Sequence, residues 1–168
     1  MPSSIANDVA AARLAGLLDS AMDAIISVDE SQTIVLYNRA AERIFGYPAA
    51  QMRGQLLERL LPERFQASHA ERVRRFGATG VTTRRMGGST LVYGRRANGE
   101  EFPVDASISQ LDTPEGKLFT VILRDVTERV HAEREQARLA ARLSGLVDSA
   151  MDGIITVDEA QRIVLYNR

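Results

Sequence analysis

The 168-residue chain contains no cysteine and no tryptophan, and aromatic residues make up only 5% of it. Without cysteine there are no disulfides, no thiolate metal ligands and no sulfur nucleophile. An excess of one charge is also missing: 21 Lys and Arg against 22 Asp and Glu leave a formal net charge of −1. That balance gives no electrostatic case for nucleic acid or for an anionic membrane surface. No run of apolar residues is long enough to span a bilayer. The start, MPSSIANDVAAARLAG, has neither the basic residues nor the long apolar core of a signal peptide. The expected compartment is the cytoplasm. No acid/base pair, nucleophile–base pair or metal cluster has a usable spacing, and no glycine-rich phosphate loop is present. Catalysis is therefore not expected of this segment.

What the chain does have is an internal copy. Residues 11–39 and 140–168 align at a constant offset of 129, with 23 of 29 positions identical. The six differences are mild: Ala15/Ser144, Leu18/Val147, Ala24/Gly153, Ser27/Thr156, Ser31/Ala160 and Thr33/Arg162. A period of this length is a domain rather than a solenoid repeat. It predicts one complete unit followed by the opening of a second.

Residues 5–21 read as a helix, with Ala10, Leu14, Leu17 and Ala21 at the 4-3-4 spacing of a coiled-coil seam. Ala24–Asp29 and Thr33–Tyr37 are β-branched runs separated by a polar turn, a β-hairpin pattern. Asn38 then caps a short helix that ends at Gly46. Pro62 and Glu63 open a longer helix whose Phe65, His69, Val73 and Phe76 share one face. Three antiparallel strands follow, over 89–96, 102–109 and 117–124. The Asn98-Gly99 hairpin signal joins the first two, and a turn at 112–116 precedes the last. Gly87-Gly88 reads as a bulge at a strand start. Asp125 and Glu128 form a capping box for an exit helix. On that helix Ala132, Gln136, Leu139, Leu143, Leu146 and Ala150 continue the seam. The expected class is α+β: a five-stranded antiparallel sheet with helices on one face, flanked by N- and C-terminal coiled-coil helices. The expected divisions are a linker helix over 1–22, the domain over 23–126, a coiled-coil signalling helix over 127–152, and the truncated start of a second domain over 153–168.

Within residues 24–128, Asn38-Arg-Ala-Ala-Glu-Arg-Ile-Phe-Gly-Tyr47, Gly54, Leu61-Pro62, Asn98-Gly-Glu-Glu-Phe-Pro103 and Arg124-Asp-Val-Thr-Glu128 resemble a PAS domain of the S-box type. The resemblance implies a sensory and dimerising module, the first of a tandem pair. Such modules bind a small ligand or a partner and sit upstream of histidine kinases, diguanylate cyclases or transcription activators. A homodimer through the flanking helices, with Leu139, Leu143 and Leu146 in the seam, is the expected assembly. Asp125 and Thr127 match the family's Asp-Ile-Thr signature, with Val126 in place of Ile, and are the expected relay from sheet to exit helix.

His69 lies where heme-binding, oxygen-sensing members of the family carry the iron's axial ligand, which makes heme a candidate cofactor and a gas sensor the alternative function. The strand arginine that contacts oxygen in those sensors aligns near Thr90, with Arg84 and Arg85 falling earlier. The photosensors of this fold that form a flavin adduct need a cysteine, so flavin is not expected. His131 reads as a solvated helix residue. A further alternative is a ligand-free assembly module with a filled core.

Overall fold

A computed structural model describes residues 3–86, 92–148 and 155–166. In chain order the elements are α1 (Ser3–Ser20), β1 (Ala24–Val28), β2 (Ile34–Tyr37), α2 (Arg39–Phe45), α3 (Ala49–Met52), a 3-10 turn over Leu57–Leu60, and α4 (Glu63–Gly77). These are followed by β3 (Thr83–Arg85), β4 (Val92–Arg95), β5 (Glu101–Thr113), β6 (Gly116–Asp125), α5 (Thr127–Asp148), β7 (Ile155–Val157) and β8 (Ile163–Tyr166). The chain divides into two compact units, Met1–Thr127 and Glu128–Arg168.

In the first unit the sheet runs β2-β1-β6-β5, with β3 and β4 both pairing with β5. Every pairing is antiparallel. The expected five strands become six strands in five positions. The edge position is shared by two short pieces: β3 faces Ser107–Ser109 and β4 faces Glu101–Val104. The Gly87-Gly88 reading and the start of the expected 89–96 strand lie outside the described residues. The first hairpin sits beside the last strand, with Ile26 opposite Val121. β5 and β6 form a longer hairpin than expected. Their ladder continues to Thr113 and Gly116, where only Pro114 and Glu115 remain in the turn and Gly116 takes a left-handed φ of 119°.

Alternation decides the core. Phe102, Val104, Ala106 and Ile108 of β5 are all buried, as are Ala24, Ile26 and Val28 of β1. They meet Val73 and Phe76 of α4 and Phe45 of α2. Phe45 and Phe102 pack edge to face with ring centres 5.4 Å apart. Local rules place α2 well. The Asn38 side chain accepts from the Ala41 amide at its start, and Gly46 ends it with φ 78°.

The second unit contains α5 and the β7–β8 hairpin. The two hairpins are the same object. Ile26↔Tyr37, Ser27↔Leu36 and Val28↔Ile34 recur as Ile155↔Tyr166, Thr156↔Leu165 and Val157↔Ile163, bulge included. Asp29 Oδ1 accepts from the amides of Ser31 and Thr33, and Asp158 Oδ1 accepts from those of Ala160 and Arg162. Gln32 and Gln161 both take left-handed backbone, φ 67° and 59°. Their surroundings differ: Ile26, Val28 and Ile34 are at most 2% exposed, while Ile155, Val157 and Ile163 are 57%, 52% and 63% exposed. The hairpin's shape is thus set locally by the aspartate loop, not by the sheet it completes.

Candidate functional site

Between the sheet and the helical layer lies a small apolar cavity of about 50 Å³, lined among others by Ile26, Phe45, Leu60, His69, Val92 and Leu123. His69 reaches it from α4, as its shared face with Phe65, Val73 and Phe76 predicts. Burial first, and the positive Arg72 second, hold its imidazole below the ordinary value. The ring is therefore neutral at pH 7. Its unfolded form takes a proton more readily than its folded form. Its contribution to stability therefore declines as the pH falls through about 6.5.

A neutral imidazole is the form that ligates iron, so the donor suits a heme. The space does not. Pockets for organic ligands run to roughly 300–1,000 Å³, and this cavity is far below that range. The residues as packed do not accommodate a porphyrin. Nor does an arginine reach the cavity from β3. Arg85 instead forms a two-point pair with Asp105, Nε to Oδ1 at 3.0 Å and a second nitrogen to Oδ2 at 2.5 Å. Both Arg84 and Arg85 are exposed, and Thr90 lies outside the described residues.

The second feature is at the sheet's exit. Asp125 ends β6, and its Oδ1 accepts from the Thr127 amide at 2.9 Å and the Thr127 hydroxyl at 2.6 Å. The amide contact is to the residue two positions on, the geometry of an Asx turn, and α5 begins at Thr127 itself. This corrects the expected capping box, in which Asp125 would hold the amide three residues on. The other oxygen, Oδ2, accepts from Arg96 at 2.5 Å. Burial alone would push this carboxyl up, but the hydrogen bonds from Thr127 and Arg96 outweigh it and hold it below the usual carboxylate value. The pair's stabilisation is present above a pH of about 4 and is lost as the pH falls through the lower folded value.

Arg96 connects this corner to the core. Its guanidinium lies 3.8 Å from the centre of the Phe102 ring, donates to the Ile44 carbonyl of α2, and approaches Glu100 at 3.4 Å. One side chain therefore touches α2, β5 and the end of β6, and Asp125 carries the contact on to Thr127 at the start of α5. The sequence reading assigned Arg96 no role. A charge two residues before an Asn-Gly turn is a common surface feature, and its partner is 29 residues away. Neither fact is visible as a local pattern.

Among the other expected residues, Leu139 and Leu143 lie exposed on α5. Leu146 belongs to the same helix, with its side chain outside the described set. His131 is exposed, as read from the sequence. The described residues contain no cluster of metal-ligating side chains and no helix long and apolar enough to cross a membrane.

A five-position antiparallel sheet with helices packed on one face, a small internal cavity, and a helix leaving the last strand define an α+β domain of one sheet and one helical layer. The family model described as PAS fold matches residues 18–131. The chain belongs to the PAS family. It is 33% identical over 134 residues to the sensor protein FixL of Bradyrhizobium diazoefficiens, covering 80% of this chain and 26% of that protein. It is 26% identical over 152 residues to the oxygen sensor protein DosP of Escherichia coli, covering 90% and 18%. The chain thus spans about a quarter or less of these relatives. Among solved structures, a PAS domain from Colwellia psychrerythraea superposes with a TM-score of 0.60 at 18% identity, covering 69% of this chain and 96% of that one. An RNA-binding light-oxygen-voltage receptor gives 0.60 at 27% identity, covering 77% and 37%.

Proposed function

We propose that this chain is the sensory and relay module of a signal-transduction protein, working as a homodimer and without catalysis of its own. A change in the core passes through Asp125 and Thr127 into α5 and on to an output domain, of histidine kinase or diguanylate cyclase type. The observation that carries this reading is Arg96, which holds Asp125 while resting on Phe102 and α2. Moving the Phe102 corner must move the start of α5 or break a charged hydrogen bond, worth about 1.5–3 kcal/mol. Arg96→Met keeps an apolar stem over the ring and removes the charge. Amide exchange at residues 127–130 is expected to accelerate about 10-fold or more, with β1 and β6 little changed. Unchanged exchange at 127–130 would refute the relay.

The size of the cavity limits a direct ligand to a few atoms, so input from a partner or from a neighbouring helix fits the core better than an organic ligand. The near-identity of the two hairpins supports a tandem arrangement, in which the exposed face of β7–β8 belongs to a second copy of the same domain. A cytoplasmic location accords with the balanced charge.

His69 favours a second reading, a heme-based gas sensor, which requires α4 to move away from β4. Adding hemin to the purified chain should then give a sharp Soret band that His69→Ala abolishes or shifts. A broad band of free hemin, identical in both proteins, would sink it.

A further inference from the structure

The least exposed amide side chain in the domain stands where α1, β1 and α2 meet, at the same end of the sheet as the last residues of β6. Asn38 is 3% exposed, and its hydrogen-bonding capacity is fully used. Oδ1 accepts from the Ile25 amide at 2.9 Å and the Ala41 amide at 3.0 Å. Nδ2 donates to the carbonyls of Leu18 at 2.9 Å and Asp23 at 3.2 Å. An Asn amide has two donors and two acceptor lone pairs, so all four bonds are made. One buried side chain therefore joins the last turn of α1, the segment after it, the first core strand and the start of α2.

The attachment matters because α1 has little else. Of its described side chains, residues 9–20, only Leu18 is half-buried and the rest are exposed. Helices in proteins draw most of their stability from tertiary packing. The Leu18 turn is where α1 meets the domain, and Asn38 holds the carbonyl of that turn.

We propose that Asn38 is the positioning residue through which movement of the incoming helix α1 is delivered to the sensor core. It is an input clamp distinct from the Arg96–Asp125 output clamp, at the same end of the sheet, where Asp23 pairs with Arg124 at 2.8 Å. This rests on the relay reading but concerns a different helix. A rotation of α1 shifts the Leu18 carbonyl, and the rigid amide passes that shift to β1 through Ile25 and to α2 through Ala41. Asn167 occupies the corresponding place in the repeated segment, outside the described residues. In the sequence, therefore, α5 stands to Asn167 as α1 stands to Asn38, and one helix serves as output of the first unit and input of the next.

Asn38→Asp tests this. The carboxylate keeps both acceptor roles, including the α2 cap, and loses both donors. Hydrogen exchange in the 168-residue chain should accelerate about 10-fold or more over the last two turns of α1, with β1 and α2 exchanging as in the wild type. Asn38→Ser, which retains a capping oxygen but is too short to reach Leu18, should do the same, and covers the case in which the buried carboxylate prevents folding. Unchanged exchange in α1, or equal acceleration of α1, β1 and α2, would overturn the proposal. The outcome is independent of Arg96→Met, whose effect is read at residues 127–130.

Discussion

Phe102→Ala should lower the unfolding free energy by about 3–5 kcal/mol, a range typical of large-to-small changes at fully packed aromatic positions. Domains of this size are stable by only about 5–15 kcal/mol, so the variant should be partly unfolded at 37 °C. Three contacts are lost together. The ring is completely buried, Phe45 loses its edge-to-face neighbour, and Arg96 loses the surface on which its guanidinium rests. The site cannot relax by inward movement of β4, because Gly94 already lies close under the ring. A Cβ there would meet Phe102 at 3.0 Å and Phe45 at 3.1 Å. Leu111→Ala, at the exposed tip of the β5–β6 hairpin, should cost no more than about 0.5 kcal/mol. Urea unfolding followed by circular dichroism measures both. A loss below about 1 kcal/mol for Phe102→Ala would contradict the packing described.

The second large effect concerns association. Leu139→Asp combined with Leu143→Asp should turn a dimer into a folded monomer and raise the dissociation constant by at least about 100-fold, equivalent to roughly 2.7 kcal/mol. Both leucines are more than half exposed on α5 and lie four residues apart on the seam. Placing carboxylates there sets like charges against each other in an apolar interface. The thermal midpoint of the domain should barely change, since neither side chain is part of its core. Light scattering at a series of concentrations decides the matter. A wild-type chain that remains monomeric at several hundred micromolar would exclude this dimer.

The parts of the fold that sequence made legible are those fixed by short-range chemistry. Asn38 followed by Arg39–Phe45 and Gly46 is a complete helix with its start and stop residues, and strict alternation from Phe102 to Ile108 can face a core only one way. His69 was placed on the cavity side by helical period alone. What escaped detection depends on distant partners. Thr83–Arg85 has no apolar alternation and every residue of it is exposed. It is a strand only because Ser107–Ser109 offers an unpaired edge. The Arg96–Asp125 pair and the fourfold bonding of Asn38 join residues brought together by the sheet order, which local pattern does not encode. The cavity's small volume was likewise unreadable, since it depends on how closely α4 approaches β4.

That unexpected strand has a consequence for how the molecule behaves in a crowded solution. Exposed sheet edges are templates on which other chains can add strands and begin aggregates. Here the edge beside β5 is occupied by two pieces too short to offer a continuous ladder, and the first carries Arg84 and Arg85 in succession. An incoming strand would find few consecutive free amides and carbonyls, and charged side chains at Arg84, Arg85 and Arg95 along the way. A protein that displays Leu14, Leu17, Leu139 and Leu143 on its helices gains from such protection, because sticky helices then meet one another without the sheets fusing.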